Sequence, residues 1–174
     1  MSLSMSKAAV PVFVRGLTVL STLLKKGEEH AAQAGIAPET LLGARLADDM
    51  LPLSAQVQRA SDAAKFAVQR ISGGEAPKFA DEETTFAQLQ ERIANTIAWL
   101  QSVDAASVDA GADREVSLKV GSFGATFTGE SYLLTFALPN FYFHLVTAYD
   151  ILRNQGASLG KRDYLGAFDT TTFA

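Results

Sequence analysis

Residues 130–155 read Glu130-Ser131-Tyr132-Leu133-Leu134-Thr135-Phe136-Ala137-Leu138-Pro139-Asn140-Phe141-Tyr142-Phe143-His144-Leu145-Val146-Thr147-Ala148-Tyr149-Asp150-Ile151-Leu152-Arg153-Asn154-Gln155, followed by Gly156. Leu133, Ala137, Phe141, Ala148 and Ile151 recur at the three- and four-residue steps of one helical face. The spacing predicts a helix from about Glu130 to Gln155 that stops at Gly156. It is apolar almost all round. Tyr132, Phe136 and Phe143 flank one side of the stripe; Leu138, Tyr142, Leu145 and Tyr149 flank the other. Such a helix is either buried on every side or lends its second face to another subunit.

Two polar side chains share the inward face. His144 falls within about 20° of the centre of the stripe, and Asn140 about 60° away, one turn earlier. Each costs on the order of 1–3 kcal/mol if buried without a partner. Pro139 cannot donate to the carbonyl of Thr135, and its ring crowds that turn, so a kink is expected there. The kink frees an acceptor and space. Asn140 and His144 then either pair with each other or with backbone, or line a pocket inside the protein.

Three more helices precede this one. Val10, Phe13, Leu17, Leu20, Leu24, Gly27, Ala31 and Ala34 mark the inner face of a first helix, about Ser6 to Ala34, closed by Gly35. Pro11 sits in its first turn or two. Ala8 to Leu24 is apolar, but Arg15 interrupts it and no small-residue cleavage pattern follows, so a core-facing helix explains it better than a signal or a membrane span. A second helix runs from near Pro52 to Gly73-Gly74 on Leu53, Val57, Ala60, Ala64, Ala67 and Ile71. Its opposite side, Gln58, Asp62, Lys65 and Gln69, reads as a solvated face, with Asp62 and Lys65 a weak surface pair. Asp48 and Asp49 read as caps for its start, with closure of one end of the bundle as the alternative. Gln56, at the edge of the stripe, can turn inward. The third helix opens near Asp81-Glu82-Glu83, whose charges suit an N-terminus, and buries Phe86, Leu89, Ile93, Ile97 and Leu100.

Between the third and fourth helices the period falls to two. Glu115 to Val120 alternates, Gly121-Ser122 turns, and Phe123, Ala125 and Phe127 alternate again, a β-hairpin. A lone hairpin is marginal and needs support from the bundle or from another chain. With Trp99 and Phe66 off their own stripes, it points to a homodimer, with packing inside the chain as the alternative. The tail from Ala157 reads as irregular. The architecture is all-α, a single four-helix-bundle domain over residues 1–174 with a small β-hairpin between helices three and four.

Composition narrows the function. The 174 residues carry 15 Lys+Arg against 19 Asp+Glu, a net charge of −4, which disfavours nucleic acid as a partner. No cysteine is present, which excludes thiolate nucleophiles and Cys-ligated metals. His30, in the last turn of helix one, reads as a surface histidine. The reading is of a cytoplasmic protein with no membrane partner.

Leu138-Pro139-Asn140-Phe141-Tyr142-Phe143-His144 and Ala148-Tyr149-Asp150-Ile151-Leu152-Arg153 resemble an uncharacterised bacterial family within the DinB/YfiT-like superfamily. So do Ala44 to Leu53, Gln56-Val57-Gln58 with Ala60 to Lys65, and the tail Leu159-Gly160-Lys161-Arg162-Asp163-Tyr164-Leu165-Gly166. The resemblance implies a DinB/YfiT-like four-helix bundle, often dimeric, with a divalent-metal site of three histidines: one on the second helix and an H-x-x-x-H pair on the last. His144 matches the second of that pair. Asn140 stands at the first, and Gln56 or Gln58 is the nearest stand-in on helix two. Imidazole holds zinc or nickel strongly and a carboxamide weakly, so the metal site is expected to be degenerate unless Asp49 joins it. The expected ligand pocket comprises Gln56, Asp49, Asn140 and His144, with His144 as acid/base or residual metal ligand and Asn140 orienting the substrate or His144. A non-catalytic ligand-binding protein and a dimeric interaction module are the other readings.

Overall fold

A computed structural model describes residues 3–120 and 123–168. The expected Gly121-Ser122 turn lies outside them. Helix α1 (Met5–Ala34) starts on a Ser4 cap, whose hydroxyl accepts from Lys7 N, and stops at left-handed Gly35. After a short α2 (Pro38–Gly43), α3 (Leu53–Ser72) ends at left-handed Gly73. Pro52 is the residue before α3, and no side chain caps it. Asp48 and Asp49 are therefore exposed turn residues and not caps.

Helix α4 (Phe86–Ser102) begins later than its acidic run suggests. Thr85 and Gln88 form a reciprocal capping box, so the helix needs no help from the carboxylates upstream. Short α5 (Ala105–Asp109) is held by Asp104, and Asp109 accepts from Ser6 N at 2.7 Å, tying it to the start of α1. Strands β1 (Glu115–Val120) and β2 (Phe123–Thr128) pair antiparallel with Leu118 opposite Ala125 and Val116 opposite Phe127. Then come α6 (Gly129–Tyr132), a π turn (Leu133–Ala137) and α7 (Leu138–Asn154). The tail is not wholly irregular: α8 (Lys161–Leu165) forms because Asp163 accepts from Gly160 N at 2.8 Å and pairs with Lys26.

Helices α1, α3, α4 and α7 make the bundle, with α3 against α7 and α4, and α1 against α4 and α7. The apolar stripe of α1 lies within this core; Phe13, Leu17, Leu20 and Leu24 are fully buried. Phe141 of α7 sits where Gly16 of α1 has no side chain, edge-on to Phe13 at 5.1 Å.

The hairpin is supported from within the chain. Its buried Val116 and Leu118 face the bundle, and the Phe127 ring packs on Tyr132 and Phe136 at 5.9 and 6.4 Å. Trp99 is also accounted for, donating to Glu75 O at 3.0 Å. What anchors the crossover is backbone against backbone. Gly111 lies on the carbonyl of Ile71 at the end of α3, and Gly129 on the carbonyl of Gly111, each so close that a Cβ would overlap the oxygen. Glu130 N donates to Ala112 O at 2.9 Å, and Arg114 donates to Ile71 O at 2.9 Å. These contacts set Leu118 and Tyr132 over the side of α3.

Candidate functional site

The chemistry gathers where α3 meets α7. Gln56 is buried, and its Nε2 donates to Leu51 O at 3.0 Å. A carbonyl can only accept, so this bond turns the amide oxygen the other way, onto His144 Nδ1 at 2.8 Å. The ring nitrogen must donate to that oxygen. His144 is thus the Nδ1–H tautomer, with its Nε2 lone pair unprotonated. Nε2 meets no protein donor among the described residues, and no buried side-chain nitrogen or oxygen among them lacks a partner, so Nε2 reaches solvent.

Burial, and secondarily the Arg59 charge, push the His144 pKa from 6.5 down to about 4. The imidazole is neutral at physiological pH. Between those two values the unfolded chain binds a proton that the folded chain refuses, so stability falls as pH falls through this window. The full loss, reached below about pH 4, is on the order of 3 kcal/mol. Urea unfolding at pH 7 and at pH 4.5 is expected to show a smaller acid-induced loss in His144→Gln than in the natural chain. Equal losses in the two would sink this assignment.

His144, with Nε2 as its free ring nitrogen, lines a cleft of about 360 Å³ between α3, α7 and the hairpin. Asn140 lines it one turn before His144 and makes no side-chain hydrogen bond among the described residues. The two do not pair with each other; Gln56 takes that role. Phe66, Leu118 and Phe136 form apolar walls, while Arg59, Asp62 and Arg70 bring charge. Tyr132 closes one end, its hydroxyl accepting from Arg70 Nη1 at 3.1 Å. Burial pushes the Tyr132 phenol up, against a smaller opposing effect of Arg70, so it stays protonated.

The expected kink takes the form of a π turn at residues 133–137, immediately before Pro139. Leu138 N donates to Leu133 O, five residues back, which opens the turn one residue wider than an α-helix. Proline completes it, because Pro139 has no N–H to offer Thr135. The wider turn places Tyr132 and Phe136 on the cleft side with the hairpin.

The outer side of α3 overturns one expectation. Gln58, Lys65 and, in part, Asp62 are buried and do not form a solvated face. Lys65, with 1% of its side chain exposed, is 2.9 Å from Asp62. Arg92 of α4, also 1% exposed, reaches Asp62 at 2.8 Å, Asp81 at 2.6 Å and Glu83 at 2.9 Å. Gln58 donates to Glu83 at 2.9 Å. Burial of Glu83 disfavours its charge, but the hydrogen bonds from Arg92 and Gln58 outweigh that and hold its pKa below the usual carboxylate value. The cause of the burial is the segment after Gly73. It folds back along α3 and lays Phe79 beneath Lys65 and Arg92, at 4.3 and 4.8 Å from the ring centre. A signal for this existed: Arg92 is three residues from Leu89 and four from Thr96, on the inward side of α4.

Asp49 is exposed and does not line the cleft. His30 is half-buried and donates to Gln155 O at 2.9 Å, closing the end of α7. The three-histidine metal site does not fit these residues. Gln56 and His144 bond each other directly, Gln58 is engaged by Glu83, and no three His, Asp or Glu side chains converge to hold an ion among the described residues. Gln56, one of the two stand-ins for the ligand on the second helix, here orients the His144 imidazole.

A family model described as Domain of unknown function (DUF1993) matches residues 5–165. The chain belongs to that family. This DUF1993 member is also similar to a DinB family member protein from Shewanella denitrificans, known from its crystal structure. The two are 37% identical over 96% of this chain and 94% of that one, with a TM-score of 0.88. The fold is that of a DinB-like helical bundle. No curated protein matches the chain.

Proposed function

We propose that this DUF1993 protein binds a small organic molecule in the cleft between α3 and α7. In this reading His144 Nε2 accepts a proton or hydrogen bond from the ligand, and the Asn140 carboxamide orients it. The observation that carries the reading is the Leu51–Gln56–His144 chain of hydrogen bonds. It holds a neutral imidazole, its basic nitrogen free, in the lining of a cleft of ligand size. The chemistry available there is general-base catalysis or recognition of a ligand hydroxyl or amine, and neither requires a metal.

A fragment screen by protein-observed NMR tests it. Hits are expected to move the Asn140 and His144 resonances and to be lost in His144→Ala. Hits that cluster elsewhere, or that survive this substitution unchanged, defeat the proposal. A dimeric interaction module is the second reading. Phe143, 55% exposed, and Val146 one turn on favour it, and sedimentation at two concentrations separates a dimer from a monomer.

A further inference from the structure

The arginines of this protein are not treated alike. Arg92 meets three carboxylates and Arg59 lies 3.6 Å from Asp81, whereas Arg70 has no carboxylate within ion-pair distance among the described residues. Yet Arg70 is half-buried and firmly placed. Its guanidinium lies over the rings of Phe66 and Tyr132, at 5.3 and 5.9 Å, and one of its nitrogens is fixed on the Tyr132 hydroxyl. Aromatic faces and a neutral phenol hold such a group in position without cancelling its charge. In a chain with four more acidic than basic groups, an uncompensated guanidinium lining a cleft is a ready partner for an anion.

Arg70, Asn140 and His144 line one cleft. Phe66 and Phe136 line the same cleft and are apolar. We infer that the ligand is an organic anion, a carboxylate or phosphoryl group on a flat apolar body, with its anionic head on Arg70 and a hydroxyl or amine at Asn140 and His144. This rests on the small-molecule reading above and adds the class of ligand.

Three probes of matched shape test it by NMR titration: para-hydroxyphenylpropionate, para-hydroxybenzylphosphonate and the neutral para-hydroxyphenylpropanol. Both anions are expected to bind about tenfold or more tightly than the alcohol, and the tighter of the two identifies the head group. Arg70→Met is expected to erase that preference, with the anions binding no more tightly than the alcohol to the same variant. Arg70→Gln, which removes the charge but keeps a polar side chain, carries the same expectation if the methionine variant folds poorly. Arg70→Lys, which keeps the charge without the planar fork, is expected to retain part of the preference. Equal binding of anions and alcohol, or a preference that survives loss of the arginine, overturns the inference. In that event alcohol-induced shifts at His144 would leave the cleft reading standing, whereas no response to any probe removes both.

Discussion

Arg92→Met is expected to lower unfolding stability by about 3–5 kcal/mol, a large share of the roughly 5–15 kcal/mol that a domain holds. Methionine fills much the same space, so the effect is electrostatic and not a cavity. With the guanidinium gone, Asp81 and Glu83 lose their hydrogen-bonded cation, and Asp62 keeps Lys65 and the more distant Arg59. The Ser61 hydroxyl also loses the Arg92 Nε donor at 3.2 Å. Arg92→Lys should recover only part of the loss, because a single ammonium cannot face three carboxylates and Ser61 at once. Urea unfolding monitored at Trp99 is a direct measurement, since Trp99 donates to Glu75 of the segment this cluster holds down. A loss below about 1 kcal/mol, typical of surface pairs, would mean that the cluster does not clasp that segment.

The second large effect is expected at Gly129. Its backbone lies against the carbonyl of Gly111, which itself lies on the carbonyl of Ile71. Alanine at 129 must push apart two backbones that cannot yield as a side-chain tip can. A cost on the order of 3 kcal/mol is expected, at the upper end for overpacking. The effect should also reach the cleft. Gly129 starts α6, which carries Tyr132, and β2 ends immediately before it, so a shift there moves the Arg70–Tyr132 bond and the hairpin wall together. Gly129→Ala should therefore lose stability and weaken fragment binding at His144. Gly43→Ala, where nothing lies within 4 Å of the new methyl, should do neither. Equal stability of the two variants would contradict the stacked-backbone account.

Helices were legible where one face meets the core and the other meets water. The α1 stripe and its Gly35 stop, the α3 stop at Gly73 and the two strands of the hairpin follow from local spacing. So does the inward direction of His144, because a helix fixes side-chain direction at 100° per residue. Local spacing misleads where a second element covers a helix from outside. Gln58, Asp62 and Lys65 are polar and opposite the apolar stripe, which in isolation means solvent. The Phe79 segment and Arg92 make that side a second interior. The acidic run at residues 81–83 misleads for the same reason, since Asp81 and Glu83 pair with Arg92 and do not serve the helix end.

Local pattern thus established a helical bundle, its four main helices and one inward histidine, all consequences of periodicity within a single element. It could not establish the state of that histidine. The tautomer and the open Nε2 depend on Gln56, 88 residues away, which is itself turned by Leu51. The uncompensated charge of Arg70 likewise depends on which carboxylates the fold delivers to Arg92 and Lys65 instead. Hydrogen-bond partners and charge neutralisation are properties of groups brought together by folding, and one-dimensional spacing carries no term for them.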